Sequence, residues 1–391
     1  MSRTIIHLDL DAFFCSVEAL LNPSLKDQVF AVGGRPNNRG VITSCSYAGR
    51  QYGIRSAMPT AKALALYPKL ILVQGHHSLY AEYSKKVMTI LYDTSPLVEQ
   101  ISIDEAFMDI TDIHSNPRKV AEALQGRIAR EVGLPCSIGV ASNKLVAKIA
   151  NDFGKSRNRS AKPPRAITII EPGNEAEFLA PLKVQSLWGI GPKTAQKLQT
   201  LGIKTIGDLT KLSQDSLKQL FGKIGEEIFF RARGIDDSPI YLEHEIKSVS
   251  NEITLERDTV ERDLLLNILR SLSDKVGQRL REAQLAGRTV HLKLRYSDFS
   301  TITRQQKLEQ ATDQDNEIYE IEIKILDKHW QQGRPIRLIG VGISDLGKPY
   351  RQLKLWDQKD VETSQLLRAV DQLRSKYGQN IIQRGSKLRK R

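Results

Sequence analysis

Cysteine is scarce in this chain. Three residues, Cys15, Cys45 and Cys136, are spread over 391 positions and form no CxxC pair. Spacing that wide excludes a disulfide framework and offers no zinc ligand set. The pair His76-His77 stands without a nearby cysteine or further histidine and reads as a loop feature rather than a metal site. No run of 18 apolar residues occurs, so no membrane-spanning helix is expected. Met1-Ser2-Arg3 leads straight into a strand, which leaves no signal peptide, and the reducing cytoplasm is the expected compartment. Acidic residues are also few relative to basic ones, 45 against 58, for a net charge of +13. A folded chain that basic points to a polyanionic partner. Its length suggests two to four domains.

Against that basic background, the acids that are present fall in telling places. Asp104 and Glu105 stand side by side in Ser102-Ile103-Asp104-Glu105-Ala106-Phe107, inside a stretch from Leu97 to Ile110 that otherwise reads as strand. Neighbours in a regular strand point to opposite faces. A hairpin, Val98–Ile103 rising and Ala106–Ile110 returning, would let the two carboxylates converge at its tip. Asp9 and Asp11 follow the apolar strand 4–8. Carboxylates at the ends of adjacent strands make an oxygen-rich pocket suited to Mg²⁺.

The order of predicted elements is strand 4–8, an insertion over 10–76, helix 78–92, the acidic hairpin, helix 117–132, strand 136–141 and helix 143–153. This describes a split βαβ sheet. Residues 155–165 carry five positive charges and no negative one. A helical region, 174–234, contains Leu187-Trp188-Gly189-Ile190-Gly191-Pro192-Lys193, a helix-hairpin-helix pattern. Its glycines permit a tight turn whose backbone N–H groups can hold a phosphate. Residues 235–245 read as a linker. Strand 247–255, a long helix with apolar residues every four positions, strands 288–296 and 301–308, a segment 316–331 taken as helix, and strand 335–343 form a second βαββαβ unit. The last sixteen residues hold six basic side chains and no acidic one.

Five stretches together carry a resemblance: HLDLDAFFCSVE (7–18), SYAGRQYGIRSAMP (46–59), SIDEAFMDIT (102–111), SIGVASNKLVAKIAND (137–152) and the hairpin at 187–203. In that order they resemble the Y-family of translesion DNA polymerases, closest to its DNA polymerase IV branch. The resemblance implies an α+β multidomain right hand. Its parts would be a βαββαβ palm (1–10 and 77–166), small fingers (11–76), a helical thumb with the helix-hairpin-helix (167–234), a linker (235–245), a βαββαβ little finger (246–345) and a tail (346–391).

The implied activity is low-fidelity, template-directed DNA synthesis without proofreading. Asp9, Asp104 and Glu105, assisted by the backbone carbonyl of Leu10, would hold two Mg²⁺ ions; Asp11 would support the turn instead. Tyr47 and Arg50 would grip the triphosphate, as would Lys155, although the family's Lys-Pro-x-Gly is here Lys155-Ser156-Arg157-Asn158. Phe14 would be the steric gate against a ribose 2′-OH, with Phe13 in the core. Gly189, Gly191 and Lys193 in the thumb, and Ser297, Thr301, Thr303, Arg304 and Arg337 in the little finger, would hold primer-template DNA. Gly342 replaces an arginine often found there. Gln352, Leu353, Leu355 and Trp356 resemble the bacterial sliding-clamp peptide. Deoxynucleoside triphosphates are the implied substrates, a monomer is expected, and no membrane partner is. Two readings compete: a nucleotidyl cyclase with a related palm, and a catalytically inert DNA- or clamp-binding protein.

Overall fold

The computed structural model describes residues 3–36, 39–158, 160–243, 245–349, 358–378 and 381–382. The chain divides into two compact units, Met1–His244 and Glu245–Arg391.

The first unit opens with β1 (Ile5–Leu10), followed by α1 (Phe13–Leu21), β2 (Phe30–Gly33), β3 (Ile42–Cys45), α2 (Tyr47–Gln51), α3 (Thr60–Leu66), β4 (Ile71–Val73) and α4 (His77–Thr94). Next come β5 (Val98–Gln100), β6 (Glu105–Asp109), α5 (Pro117–Glu131), β7 (Cys136–Ala141), α6 (Lys144–Ser156) and β8 (Ile167–Ile169). A helical region closes the unit: α7 (Glu175–Leu179), α8 (Pro192–Thr200), α9 (Ile206–Leu209), α10 (Gln214–Phe221) and α11 (Lys223–Arg231). Five strands form one sheet in the order β5-β6-β1-β7-β8, and three form another in the order β3-β2-β4. The smaller sheet belongs to the insertion between β1 and α4. That insertion lets β1 and β6 pair although about ninety residues separate them.

β1 is buried along its whole length because it is the middle strand and both faces are covered. Strand alternation sends Ile6, Leu8 and Leu10 into the core shared with α4 and α5. Ile5, His7 and Asp9 therefore face α6. Gly139 of β7 makes close packing of α6 possible: a Cβ there would lie 2.0 Å from the Ala147 carbonyl oxygen. Asn143 caps α6, its side chain accepting from the Val146 N–H.

Several boundaries differ from the sequence expectation. β1 runs two residues further, so Asp9 lies inside the strand rather than after it. Glu105 is the first residue of β6, and only Asp104 sits in the bend at 101–104; the acids do not share a hairpin tip. α6 reaches Ser156, which places Lys155 in its last helical turn and not in the basic stretch beyond. β8, just past the expected end of the palm at 166, pairs in parallel with β7 and joins the same sheet. His77 opens α4, while His76 contacts Glu18. The described residues of the segment expected as linker have no regular secondary structure, yet Asp236 and Tyr241 are fastened to the first unit. Asp236 accepts from the Leu145 N–H, and the Tyr241 N–H donates to Glu99.

The second unit contains β9 (Ser248–Thr259), α12 (Arg262–Glu282), β10 (Ala286–Tyr296), β11 (Thr301–Thr312), α13 (Asp315–His329), β12 (Ile336–Gly347) and α14 (Gln358–Tyr377). Its sheet runs β11-β10-β12-β9, all antiparallel. Val290, Leu292, Leu294 and Tyr296 point into a core built with α12 and α13. The segment 316–331, taken as helix, is helical as far as His329, and Ile318, Ile321, Ile325 and Leu326 form its buried face. α14 is tied back to α12 through Arg281, which donates to Asp371 and Asp315.

Candidate active site

Register brings the acids together. Asp9 on β1 stands directly opposite Glu105 on β6, and the Leu10 N–H donates to the Asp104 carbonyl at 3.0 Å. The Ser102 hydroxyl donates to the Asp104 carboxylate at 2.6 Å and accepts from the Glu105 N–H, which fixes the bend. Asp9, Asp104 and the backbone of Leu10 line a cleft of about 180 Å³ with Phe14, Arg50 and Lys155. At the entrance to α1, Ala12 holds a left-handed φ of 47°, an uncommon conformation for a residue with a Cβ.

Cations sit on these carboxylates. Lys155 Nζ is 2.5 Å from Asp9 Oδ1 and Lys148 Nζ is 2.9 Å from Glu105 Oε2. No group of three or more acidic, histidine or cysteine side chains among the described residues is arranged to enclose an ion. Asp9 and Glu105 are instead each paired with a lysine. Burial pushes the Asp9 carboxyl up to about 7, against the opposing pull of Lys155. Burial also pushes Glu105 up, but His7 and Lys148 outweigh it and hold that carboxyl below the usual range. The donor set, two carboxylates on paired strands, a third in the adjoining bend and a carbonyl between, is hard and oxygen-only, as Mg²⁺ requires.

The other predicted residues divide. Arg50 lies over the Tyr47 ring at 4.3 Å, both carried on α2, whose first turn is capped by Ser46. Arg50 reaches the cleft; Tyr47 is buried and its hydroxyl has no hydrogen-bond partner among the described residues. Phe14 stacks on Tyr80 with ring centroids 4.3 Å apart, while Phe13 is buried in the core. Asp11 is fully buried and accepts from the Ser137 hydroxyl and the Arg165 N–H. In the helical region Gly189 adopts φ 97°, and Gly191 and Lys193 lie exposed at the start of α8.

In the second unit, Thr301 and Thr303 pair with Arg295 and Lys293 on the outward face of the sheet. Arg304 pairs with inward-facing Leu292, so it projects from the opposite face to the two threonines. Ser297 lies at the turn leading to β11, and Arg337 stacks over Phe299 at 4.5 Å. Gln352, Leu353, Leu355 and Trp356 lie outside the described residues.

Sequence reasoning missed His7, Lys148 and Asn151. A signal was present: Lys144, Lys148, Asn151 and Lys155 recur at the spacing of one helical face. On the sheet they meet Glu99, Glu105, His7 and Asp9 respectively.

The chain is similar to known proteins over nearly its whole length. Residues 8–152 match the model of the impB/mucB/samB family, residues 246–355 that of its C-terminal domain, and residues 185–236 the thumb domain of DNA polymerase-iota. The DNA polymerase IV of Dehalococcoides mccartyi (strain CBDB1) is 39% identical over 391 residues, covering 99% of this chain and 98% of that one. The chain belongs to the DNA polymerase IV branch of the Y-family. DNA polymerase IV 1 of Bacillus subtilis (strain 168) is 36% identical, covering 100% and 94% of the two chains. Among solved structures, a Y-family DNA polymerase chimera, Dbh-Dpo4(243-245)-Dbh, shares the fold with a TM-score of 0.79 at 23% identity, covering 88% of this chain and all of that one. Membership decides between the competing readings: this is a DNA-directed DNA polymerase of the translesion type, not a cyclase or an inert binding protein.

Proposed function

We propose that Asp9, Asp104 and Glu105, with the Leu10 carbonyl, are the metal ligands of this polymerase and that two Mg²⁺ ions are its cofactor. The observation that carries this reading is the β1/β6 register, which sets Asp9 against Glu105 beside the Asp104 bend. Bound there, the ions would lower the pKa of the primer 3′-OH and offset charge on the triphosphate. Arg50 and Lys155, the two cations in the same cleft, suit the β- and γ-phosphates of an incoming deoxynucleoside triphosphate. In this assignment Lys155 exchanges Asp9 for a phosphate when substrate enters. Phe14, stacked on Tyr80 at the cleft wall, excludes a ribose 2′-OH. Tyr47 orients Arg50 by lying beneath its guanidinium.

Primer-template DNA is the polyanion that the net charge of +13 favours. In the thumb (167–234), Gly189, Gly191 and Lys193 would hold a phosphate at the start of α8. In the little finger (246–345), Ser297, Thr301, Thr303 and Arg337 would hold the duplex backbone on the sheet's outward side, and Arg304 from the edge strand. Palm (1–10 and 77–166) and fingers (11–76) then enclose the chemistry. Gln352, Leu353, Leu355 and Trp356 dock on a bacterial sliding clamp, and the enzyme works as a monomer in the cytoplasm.

Primer extension tests the ligand set. Asp104→Asn and Glu105→Gln are each expected to abolish nucleotide incorporation while leaving DNA affinity close to wild type. Near-normal extension by both variants sinks the assignment.

A further inference from the structure

Two groups that touch neither nucleotide nor DNA in the reading above stand against Glu105. Lys148 Nζ donates to its Oε2 at 2.9 Å, and His7 Nε2 lies 3.7 Å from the same oxygen. We propose that Lys148 and His7 are positioning residues for Glu105, holding its carboxylate by Oε2 so that Oε1 is presented to a divalent cation. This rests on the reading of Glu105 as a metal ligand.

The histidine's part follows from hydrogen-bond logic. The Asn151 amide nitrogen faces two backbone carbonyls, those of Ser137 at 3.0 Å and His7 at 3.3 Å. Turning the amide over would set its oxygen against both of them, so the nitrogen is fixed on that side. The same nitrogen lies 2.9 Å from His7 Nδ1; an amide nitrogen has two protons and does not accept, so the two shorter contacts, Nδ1 and the Ser137 carbonyl, each take one and Nδ1 is the acceptor. With Nδ1 unprotonated, the neutral ring carries its proton on Nε2, the atom that faces Glu105. His7 cannot turn away: it is fully buried and packs on Phe107 with centroids 4.8 Å apart. Asn151 thus fixes the His7 ring, whose Nε2 faces Glu105 Oε2 at 3.7 Å without a hydrogen bond to it in this structure, the place that second-layer partners of metal ligands take.

Electrostatics gives the proposal its discriminating sign. A lysine beside a metal site repels the ion, so a Lys148 that acted only through its charge would weaken cation binding. A Lys148 that positions the ligand strengthens it. The test uses the full chain with primer-template DNA and a non-hydrolysable deoxynucleoside triphosphate analogue, and follows Mn²⁺ binding by electron paramagnetic resonance. Lys148→Met is expected to weaken Mn²⁺ binding about tenfold or more, and Lys148→Arg to recover most of it. His7→Gln, whose amide N–H reaches toward the Nε2 position, is expected to bind more tightly than His7→Leu. In extension assays the Mg²⁺ concentration for half-maximal rate should rise in Lys148→Met, with the rate recovering at saturating Mg²⁺. Unchanged or tighter Mn²⁺ binding by Lys148→Met overturns the proposal. Glu105→Gln is the control. If it binds Mn²⁺ like wild type, the ligand assignment itself fails. If it binds weakly while Lys148→Met does not, only the positioning role fails. Should the buried His7 variants not fold, the Lys148 pair, whose side chain is 15% exposed, carries the test alone.

Discussion

At the scale of single residues, burial decides which side chains can be read for function. Phe13 and Phe14 are adjacent and chemically identical and both border the cleft, yet Phe13 is buried in the core whereas Phe14 is only partly buried and stacks on the Tyr80 ring. The Tyr80 hydroxyl is itself engaged by the buried Glu18 carboxylate, which stiffens the surface behind Phe14. Phe14→Ala should raise ribonucleotide incorporation relative to deoxyribonucleotides by orders of magnitude, measured by competitive single-nucleotide insertion. An unchanged ratio in a folded, active variant returns Phe14 to a packing role. A second residue, far from the chemistry in sequence, reports on stability. Glu322 on α13 is fully buried, with neither carboxylate oxygen hydrogen-bonded among the described residues, and burial pushes its carboxyl well above the usual range. Between the unfolded and folded pKa values the native state binds more protons. Stability is therefore complete at low pH and falls as pH rises, by about 1.4 kcal/mol per unit for one group. Glu322→Gln should match wild type in thermal melts at pH 5 and exceed it at pH 8. A difference that does not change with pH removes Glu322 as the cause.

Among the elements, α6 does the most to assemble the site. Its apolar residues Leu145, Val146 and Ile149 are buried, while its polar stripe lies across the sheet and reaches both Asp9 and Glu105. That seat depends on a strand residue with no side chain. A Cβ on Gly139 would lie 2.0 Å from the Ala147 oxygen and 2.6 Å from the Asn151 nitrogen, both backbone atoms that cannot swing aside. Gly139→Ala is expected to lift α6 from the sheet, costing about 2 kcal/mol or more, as overpacking of a tight core does. Thermal melting should show the loss, and extension at permissive temperature should fall with it because Lys148, Asn151 and Lys155 move together. Wild-type stability in this variant would mean that the helix does not pack as closely as described.

For the whole molecule, the division at residue 244/245 separates the unit that carries the carboxylates from the unit whose outward sheet face carries Thr301 and Thr303. Recruitment is expected to be separable from both. Apolar anchors entering a preformed groove give modest affinity, and tethering then raises the effective concentration of polymerase at the primer end. Replacing Leu355 and Trp356 together with alanine should leave synthesis on a naked primer unchanged and remove stimulation by a loaded sliding clamp. Stimulation equal to wild type locates the clamp contact elsewhere; loss of basal synthesis makes these side chains part of the fold.

The sequence by itself determined the family, the two βαββαβ patterns and the candidate acids, because local order and motif spacing are properties of the chain. It also determined that 316–331 could be helical, since Ile318, Ile321, Ile325 and Leu326 fit one helical face. Only the tertiary structure decided that Glu105 begins a strand while Asp104 stays in the bend, and that Arg304 leaves the sheet on the opposite side from Thr303. Strand register is set by pairing with β1 and β10, and a shift of one residue exchanges the two faces. The link from Asn151 through His7 to Glu105 was equally hidden, because its three members come from α6, β1 and β6. Nothing along the chain relates them until the sheet closes and α6 packs across it.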